Sequence, residues 1–239
     1  MTSFTFEKFI ASYPGYTDTS YLDRLRELDY KRLEREKHVY LDYTGGGLYA
    51  DSQVIKHQRM LLEGVYGNPH SSNPTSSTST ALVEDTRARV LRFFNASPED
   101  YVVIFTANAS GALKLVGEAY PFGQDCCYLL TFDNHNSVNG IREYALAKGA
   151  HVRYLPVLPP RLRAVEGKLD EYLANARGSC HNLFAFPAQS NFSSVQYPLE
   201  WIDKAHAAGW DVLLDAAAFA PTNRLDLSRW QADFVPISF

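Results

Sequence analysis

"CYLLTFDNHNSVNGIREYALAKGAHVRYLPV", residues 127–157, is the stretch on which the fold turns. It opens on a short apolar run, passes through a polar cluster into a helical pattern over 136–148, and closes on a second β-branched and aromatic run, HVRYLPV. A short continuous apolar run bounded by turn residues is the pattern of a strand buried on both faces, and strand, helix and strand in succession form one βαβ unit. The alternation continues outward in both directions. HVYLDY (38–43), YVVIF (101–105), NLFAF (182–186) and WDVLLD (210–215) supply further strand candidates, with helical segments at 51–64, 78–94, 110–120, 168–176 and 198–208. Upstream, Leu22, Leu25, Leu28 and Leu33 recur at helical spacing after Asp18 and Ser20, which can cap, so an amphipathic helix is expected there. GNPHSSNPTSST (67–78) and LPVLPPRLRAVEG (155–167) are read as loops, neither long enough for a domain linker. The expected fold class is α/β, a mostly parallel sheet with helices on both faces.

The composition of the 239 residues, 46% hydrophobic and 21% charged, is sufficient for one sizeable core. A net charge of −4 with interspersed signs offers no electrostatic footprint for nucleic acid or an anionic membrane. Glu7 and Lys8 interrupt the apolar stretch at the start, which therefore lacks the pattern of a secretory signal, and no run approaches the length of a membrane span. A soluble, cytoplasmic chain is expected. Cys126, Cys127 and Cys180 are odd in number and two are adjacent, which suits neither a disulfide framework nor a Cys-x-x-Cys metal site, so reduced core thiols are expected.

In open parallel sheets ligands bind beyond the carboxyl ends of the strands. Four strand exits carry unusual residues. YVVIF leads into TANASGALKL with Ser110, CYLLTF into DNHNSVNG with His135, and NLFAF into PAQSN with Gln189 and Asn191; WDVLL runs directly into Asp215. Singly, Ser110 serves as well for a helix N-cap, His135 for a hydrogen-bonded loop residue and Asn191 for a turn. Asp215 ends a very apolar strand, where a carboxylate is costly without a cationic partner. Together the four converge on one mouth. A helix N-terminus with a hydroxyl suits a phosphate, and the absence of G-x-G-x-x-G and G-x-x-x-x-G-K-[ST] argues against a nucleotide, as the absence of G-x-S-x-G argues against a serine hydrolase. A phosphorylated heteroaromatic ring with a carboxylate on its ring nitrogen, an imidazole above it and an amide beside its ring oxygen describes pyridoxal 5′-phosphate. Asp215 is the expected partner of the ring nitrogen.

HVYLDYTGGGLYADSQV (38–54), YGNPHSSNPTSS (66–77), FTANASGALKLVGEAYPF (105–122), DNHNSVNGIREYA (133–145), SNFSSVQYPL (190–199) and LDAAAFAPTNRLDLSRWQADFVPISF (214–239) resemble the amino-terminal part of the molybdenum cofactor sulfurase family. That family belongs to the class V aminotransferase and cysteine desulfurase group on the fold-type I scaffold, and the resemblance runs from about Phe4 to Phe239. It implies an N-terminal helical segment over 1–37 and a partial cofactor-binding large domain over 38–239. It further implies phosphate held by the backbone around Ala109 and Ser110, His135 stacked on the ring, Asn191 near the ring hydroxyl and Asp215 on the ring nitrogen. Asn68 and His70 resemble a loop near the active site at a dimer interface; a polar surface turn is the other reading. Ala218 stands where simpler desulfurases carry a Gln that reaches the cofactor, as in the sulfurase subfamily.

The activity implied is cysteine desulfuration, with L-cysteine as substrate, the molybdenum cofactor as sulfur acceptor and a homodimer in the full-length protein. In the family the strand matching FVPISF leads into a Tyr-Lys pair whose lysine forms the Schiff base, and this sequence stops before it. The expectation drawn is a chain truncated before its last strands and inactive alone. Lys114, Lys148 and Lys204 are expected on solvated helix faces, not as substitutes for that lysine. The alternatives are a selenocysteine lyase, kynureninase or aminotransferase of the same group, or a non-catalytic remnant.

Overall fold

The structure, a computed structural model, describes residues 5–165, 167–174 and 180–239. Phe4, where the resemblance begins, and positions 175 and 176 of the expected helix 168–176 lie outside the described residues. The chain divides into two compact units, Met1–Ser79 and Thr80–Phe239.

The first unit is helical and buries little. Helices α1 (Phe6–Ser12), α2 (Ser20–Asp29) and α3 (Lys31–Arg35) precede α4 (Asp51–Glu63). Phe9 packs against Tyr13 and Tyr16 at 5.1 and 5.0 Å, and the Thr5 hydroxyl caps α1 by accepting from Lys8 N. Polar contacts fasten α4 to α2 and α3. Asp29 accepts from Ser52 N at 2.9 Å, and Arg32 pairs with Asp51 at 2.7 Å while lying over the Tyr49 ring. HVYLDY does not form the expected strand. Val39 and Leu41 are exposed, and the Tyr40 hydroxyl donates to the carbonyls of Asp42 and Gly46, closing a local turn where a strand would need a neighbour. Of the loop expected over 67–78, the last residues already belong to α5 (Pro74–Phe93), which starts earlier than its apolar pattern because Asn73 caps it, accepting from Ser76 N at 3.0 Å.

The second unit holds a four-stranded parallel sheet, order β2-β1-β5-β6. Its strands are β1 (Cys127–Thr131), β2 (His151–Leu155), β5 (Asn182–Pro187) and β6 (Trp210–Asp215). Its helices are α6 (Ala109–Ala119), α7 (Asn136–Asn139), α8 (Ile141–Ala147), α9 (Lys168–Ala174) and α10 (Trp201–Ala207). Side-chain alternation along the strands builds a core on each face. Leu129, Phe184, Phe186, Val212 and Leu214 pack with Leu169, Leu173, Ile202 and Phe94 on one side. Tyr128, Leu130, Leu183, Ala185 and Leu213 pack with Leu113, Val138, Ile141 and Ala145 on the other. Both layers of helices are therefore present, as a continuous apolar run in each central strand requires.

Three expectations are corrected in this unit. YVVIF is not a strand. Neither sheet edge reaches it, so Val102, Ile104 and Phe105 remain 78%, 60% and 48% exposed. In the loop expected over 155–167, the pair β3 (Val157–Leu158) and β4 (Arg163–Ala164) forms a small antiparallel ribbon. Cys126 and Cys180 form a disulfide with Cα atoms 5.1 Å apart, leaving Cys127 as a buried free thiol pushed up to about 11 by burial. The parallel alignment of β1 and β5 brings together two cysteines 54 residues apart, which spacing along the chain could not disclose. The closing run FVPISF makes one parallel bridge, Phe234 to Leu213, and Ala216 N donates to Pro236 O. Pro236 brings no N–H with which to extend that ladder. Among the described residues no helix is long and apolar enough to cross a membrane.

Candidate functional site

The chain runs from β1 outward to β2 and later returns on the other side of β1 as β5, so the order reverses between β1 and β5. The crevice beyond the carboxyl ends at such a reversal is where an open α/β sheet receives its ligand. The exit loops of both strands are braced there. Asn134, 7% exposed, donates through one amide nitrogen to Thr131 O, Thr131 Oγ1 and Ala185 O at 3.0, 2.9 and 3.1 Å, joining the β1 exit to the body of β5. Tyr197 donates to Asp133 Oδ1 at 3.0 Å, and Ser190 Oγ donates to Asp133 O at 3.5 Å. Asp133 Oδ2 and Asn134 Oδ1 are buried acceptors without a partner among the described residues. Removing a buried hydrogen-bonding group that satisfies several acceptors costs about 1–3 kcal/mol. Asn134→Ala is accordingly expected to lower the unfolding free energy by that much, seen as a lower urea midpoint at an unchanged m-value.

His135 follows at the head of α7. Ser137 N donates to its Nδ1 at 3.2 Å, Ser137 Oγ lies 3.1 Å from the same nitrogen, and that hydroxyl is 2.6 Å from Ser110 Oγ. Ser110 and His135 thus meet through Ser137, a residue that sequence reasoning passed over. Ser110 is not the cap of α6. Asn108 is, accepting from Gly111 N at 2.8 Å, and the N–H groups of Ala109 and Ser110 have no partner among the described residues.

Asp215 ends β6 with 7% exposure. Its Oδ1 accepts from Ala217 N at 3.0 Å, and among the described residues no cation pairs with it. Burial pushes its carboxyl above the ordinary carboxylate range; the Ala217 hydrogen bond and the nearby His135 imidazole oppose that shift. Asn191 is exposed in the turn after Ser190, making no hydrogen bond that joins it to Ser110, His135 or Asp215. Its loop is held below by carboxamides: Gln189 Oε1 accepts from Gln196 Nε2 at 3.0 Å and from Asn223 Nδ2 at 3.2 Å. Gln189 is therefore a brace. Asn68 and His70 are exposed in the first unit, His70 with φ of 70°.

Lys114 and Lys204 lie on helices and Lys148 just past the end of α8, and each has another partner. Lys114 is 3.5 Å from Glu118, Lys148 donates to the carbonyls of Glu118 and Tyr120, and Lys204 pairs with Asp170 at 2.9 Å.

At the carboxyl edge of this parallel sheet the structure thus brings a helix start with two open N–H groups and a buried carboxylate that has no cation among the described residues. Residues 39–239 match the family model for aminotransferase class V, and the chain belongs to that family. It is 42% identical over 233 residues to molybdenum cofactor sulfurase of Bos taurus, covering 91% of this chain and 26% of that protein. With the Arabidopsis thaliana sulfurase it shares 38% identity over 267 residues, covering 98% and 32%. The chain thus spans about a quarter to a third of the length of these curated relatives. Among solved structures it is similar to the apo cysteine desulfurase from Thermococcus onnurineus NA1, with TM-score 0.76 and 22% identity over 89% of this chain and 52% of that one. The cysteine desulfurase CsdA from Escherichia coli follows at TM-score 0.70 and 21% identity, covering 89% and 53%.

Proposed function

We propose that these residues form the pyridoxal 5′-phosphate-binding part of a cysteine desulfurase and sulfurtransferase that mobilises sulfur from L-cysteine, with the molybdenum cofactor as acceptor. The observation that carries the reading is Asp215, a buried carboxylate that has no cation among the described residues and sits at the carboxyl edge beside His135. A protonated ring nitrogen is the partner such a carboxylate lacks, and the open N–H groups of Ala109 and Ser110 are the donors that a phosphate lacks, so the residues present fit the group. When bound, the cofactor supplies an electron-withdrawing ring that draws charge from the substrate's α-carbon. In this reading Ala109 and Ser110 bind the phosphate, His135 covers the ring and excludes water, and Asn191 orients the ring hydroxyl. Asp215 holds a proton at the ring nitrogen. Asn68 and His70 are assigned to the edge of the site in a homodimer, and the compartment is cytoplasmic.

Two experiments test this. The chain is titrated with pyridoxal 5′-phosphate and with unphosphorylated pyridoxal, following cofactor absorbance; saturable binding of the phosphate form alone is expected, and equal weak binding of both sinks the cofactor assignment. In parallel, residues 39–239 replace the matching segment of the Bos taurus sulfurase, and the chimera is offered L-cysteine, L-selenocysteine and L-kynurenine. Alanine formed fastest from L-cysteine supports desulfuration, whereas preference for either rival substrate transfers the assignment to that activity.

A further inference from the structure

We propose that Ser137 is a positioning residue that fixes the orientation and tautomer of His135 and ties that ring to the first turn of α6. The inference rests on the cofactor reading only for its consequence; its geometry stands in the chain itself. Ser137 N is a donor and cannot be anything else, so the His135 Nδ1 that it faces at 3.2 Å must be an unprotonated acceptor. In the neutral ring the proton then belongs on Nε2, which has no partner among the described residues, on an exposed side chain. The ring therefore presents an N–H donor outward.

The hydroxyl of Ser137 adds the second constraint. Placed 3.1 Å from Nδ1 and 2.6 Å from Ser110 Oγ, it joins two segments 27 residues apart. A backbone N–H alone leaves the imidazole free to swing about χ1; a second contact anchored on another element closes off that motion. The direction of the chain of hydroxyls has a chemical consequence as well. With Nδ1 bare, the single Ser137 hydroxyl proton is the one that can bond it, so Ser137 donates to Nδ1 and accepts from Ser110 Oγ, and the Ser110 hydroxyl is oriented by the same serine that holds the ring. Asp215 approaches His135 from β6 and forms no hydrogen bond with it, so it does not do this work.

The test uses the 239-residue chain with ¹⁵N- and ¹³C-labelled histidine and no ligand. At alkaline pH, His135 should show a bare Nδ1 and a protonated Nε2, with a ring as ordered as the backbone around it. Ser137→Ala should lose that ring order, Ser110→Ala should lose part of it, and Ser137→Thr should retain it. A wild-type ring protonated at Nδ1, or a ring equally ordered in Ser137→Ala, overturns the proposal, and the first of these needs no variant to fold. With pyridoxal 5′-phosphate added, Ser137→Ala should bind roughly two- to tenfold more weakly, as loss of one neutral hydrogen bond implies, and Ser137→Thr should restore the affinity. If the wild-type chain does not bind the cofactor at all, the cofactor reading falls, while the ring order and tautomer still decide the role of Ser137.

Discussion

Phe184→Ala is expected to destabilise the second unit by about 3–5 kcal/mol, the usual cost of emptying a phenyl-sized volume from a packed interior. Phe184 is fully buried in β5, the strand paired on both sides by β1 and β6. Its ring stacks on Phe186 at 5.0 Å and meets Trp201 of α10 at 6.1 Å. The neighbours that would have to collapse into the void belong to a hydrogen-bonded ladder and to a helix docked on it, so relaxation is small and the cost falls at the upper end. Urea unfolding followed by tryptophan fluorescence measures it, since Trp201 and Trp210 both lie in this core. A loss below about 1 kcal/mol would mean that the layer between β5 and α10 is far more plastic than its packing implies.

Asp215→Asn is expected to act in opposite directions on the empty and the loaded chain. In the empty chain burial raises the folded-state pKa of Asp215, so the folded protein binds that proton more tightly than the unfolded one. Stability therefore falls as pH rises from the ordinary carboxylate value through the raised folded value, and the deficit persists above it. Asparagine removes the charge, so the variant should be more stable than wild type at neutral pH, and the difference should close as pH falls below the carboxylate range. Cofactor binding should go the other way. A hydrogen bond to a charged partner is worth about 1.5–3 kcal/mol, so the variant's affinity for pyridoxal 5′-phosphate should drop roughly ten- to hundredfold. Thermal melts across pH give the first half and absorbance titrations the second. A variant no more stable than wild type at neutral pH would show that the carboxylate is compensated in the fold, and the site reading would lose its main support.

The parts of this fold that were legible in the sequence are those whose signal is local. β1, β5 and β6 are apolar on both faces because both faces are covered, and a two-sided burial needs no knowledge of the partner to be read. The βαβ unit over 127–155 follows from the same signal, with Gly140 dividing the expected helix into α7 and α8. HVYLDY and YVVIF carry the same β-branched composition and are not strands, because composition reports a willingness to pair and pairing is settled by what lies alongside. At the site, Asp215 stood out for being a charge in an apolar run. Ser137, Asp133, Tyr197 and Asn223 gave no such signal, since a polar residue in a polar loop looks ordinary until the loop's path places it against a particular neighbour. The Cys126–Cys180 pair was missed for the same reason.

YVVIF has a consequence of another kind. Val102, Ile104 and Phe105 are exposed along a backbone whose donors and acceptors are not taken up by either sheet edge. Tyr101 N donates to Ser97 O at 2.9 Å and Val103 O accepts from Arg87 Nε at 3.2 Å, so the segment is held by its own neighbours and not by the sheet. Its exposed apolar side chains leave it open to pairing with another extended chain. Tyr101, packed against the core with its hydroxyl donating to Ala232 O at 3.0 Å, anchors the segment, and the exposed Val102, Ile104 and Phe105 are its adhesive part.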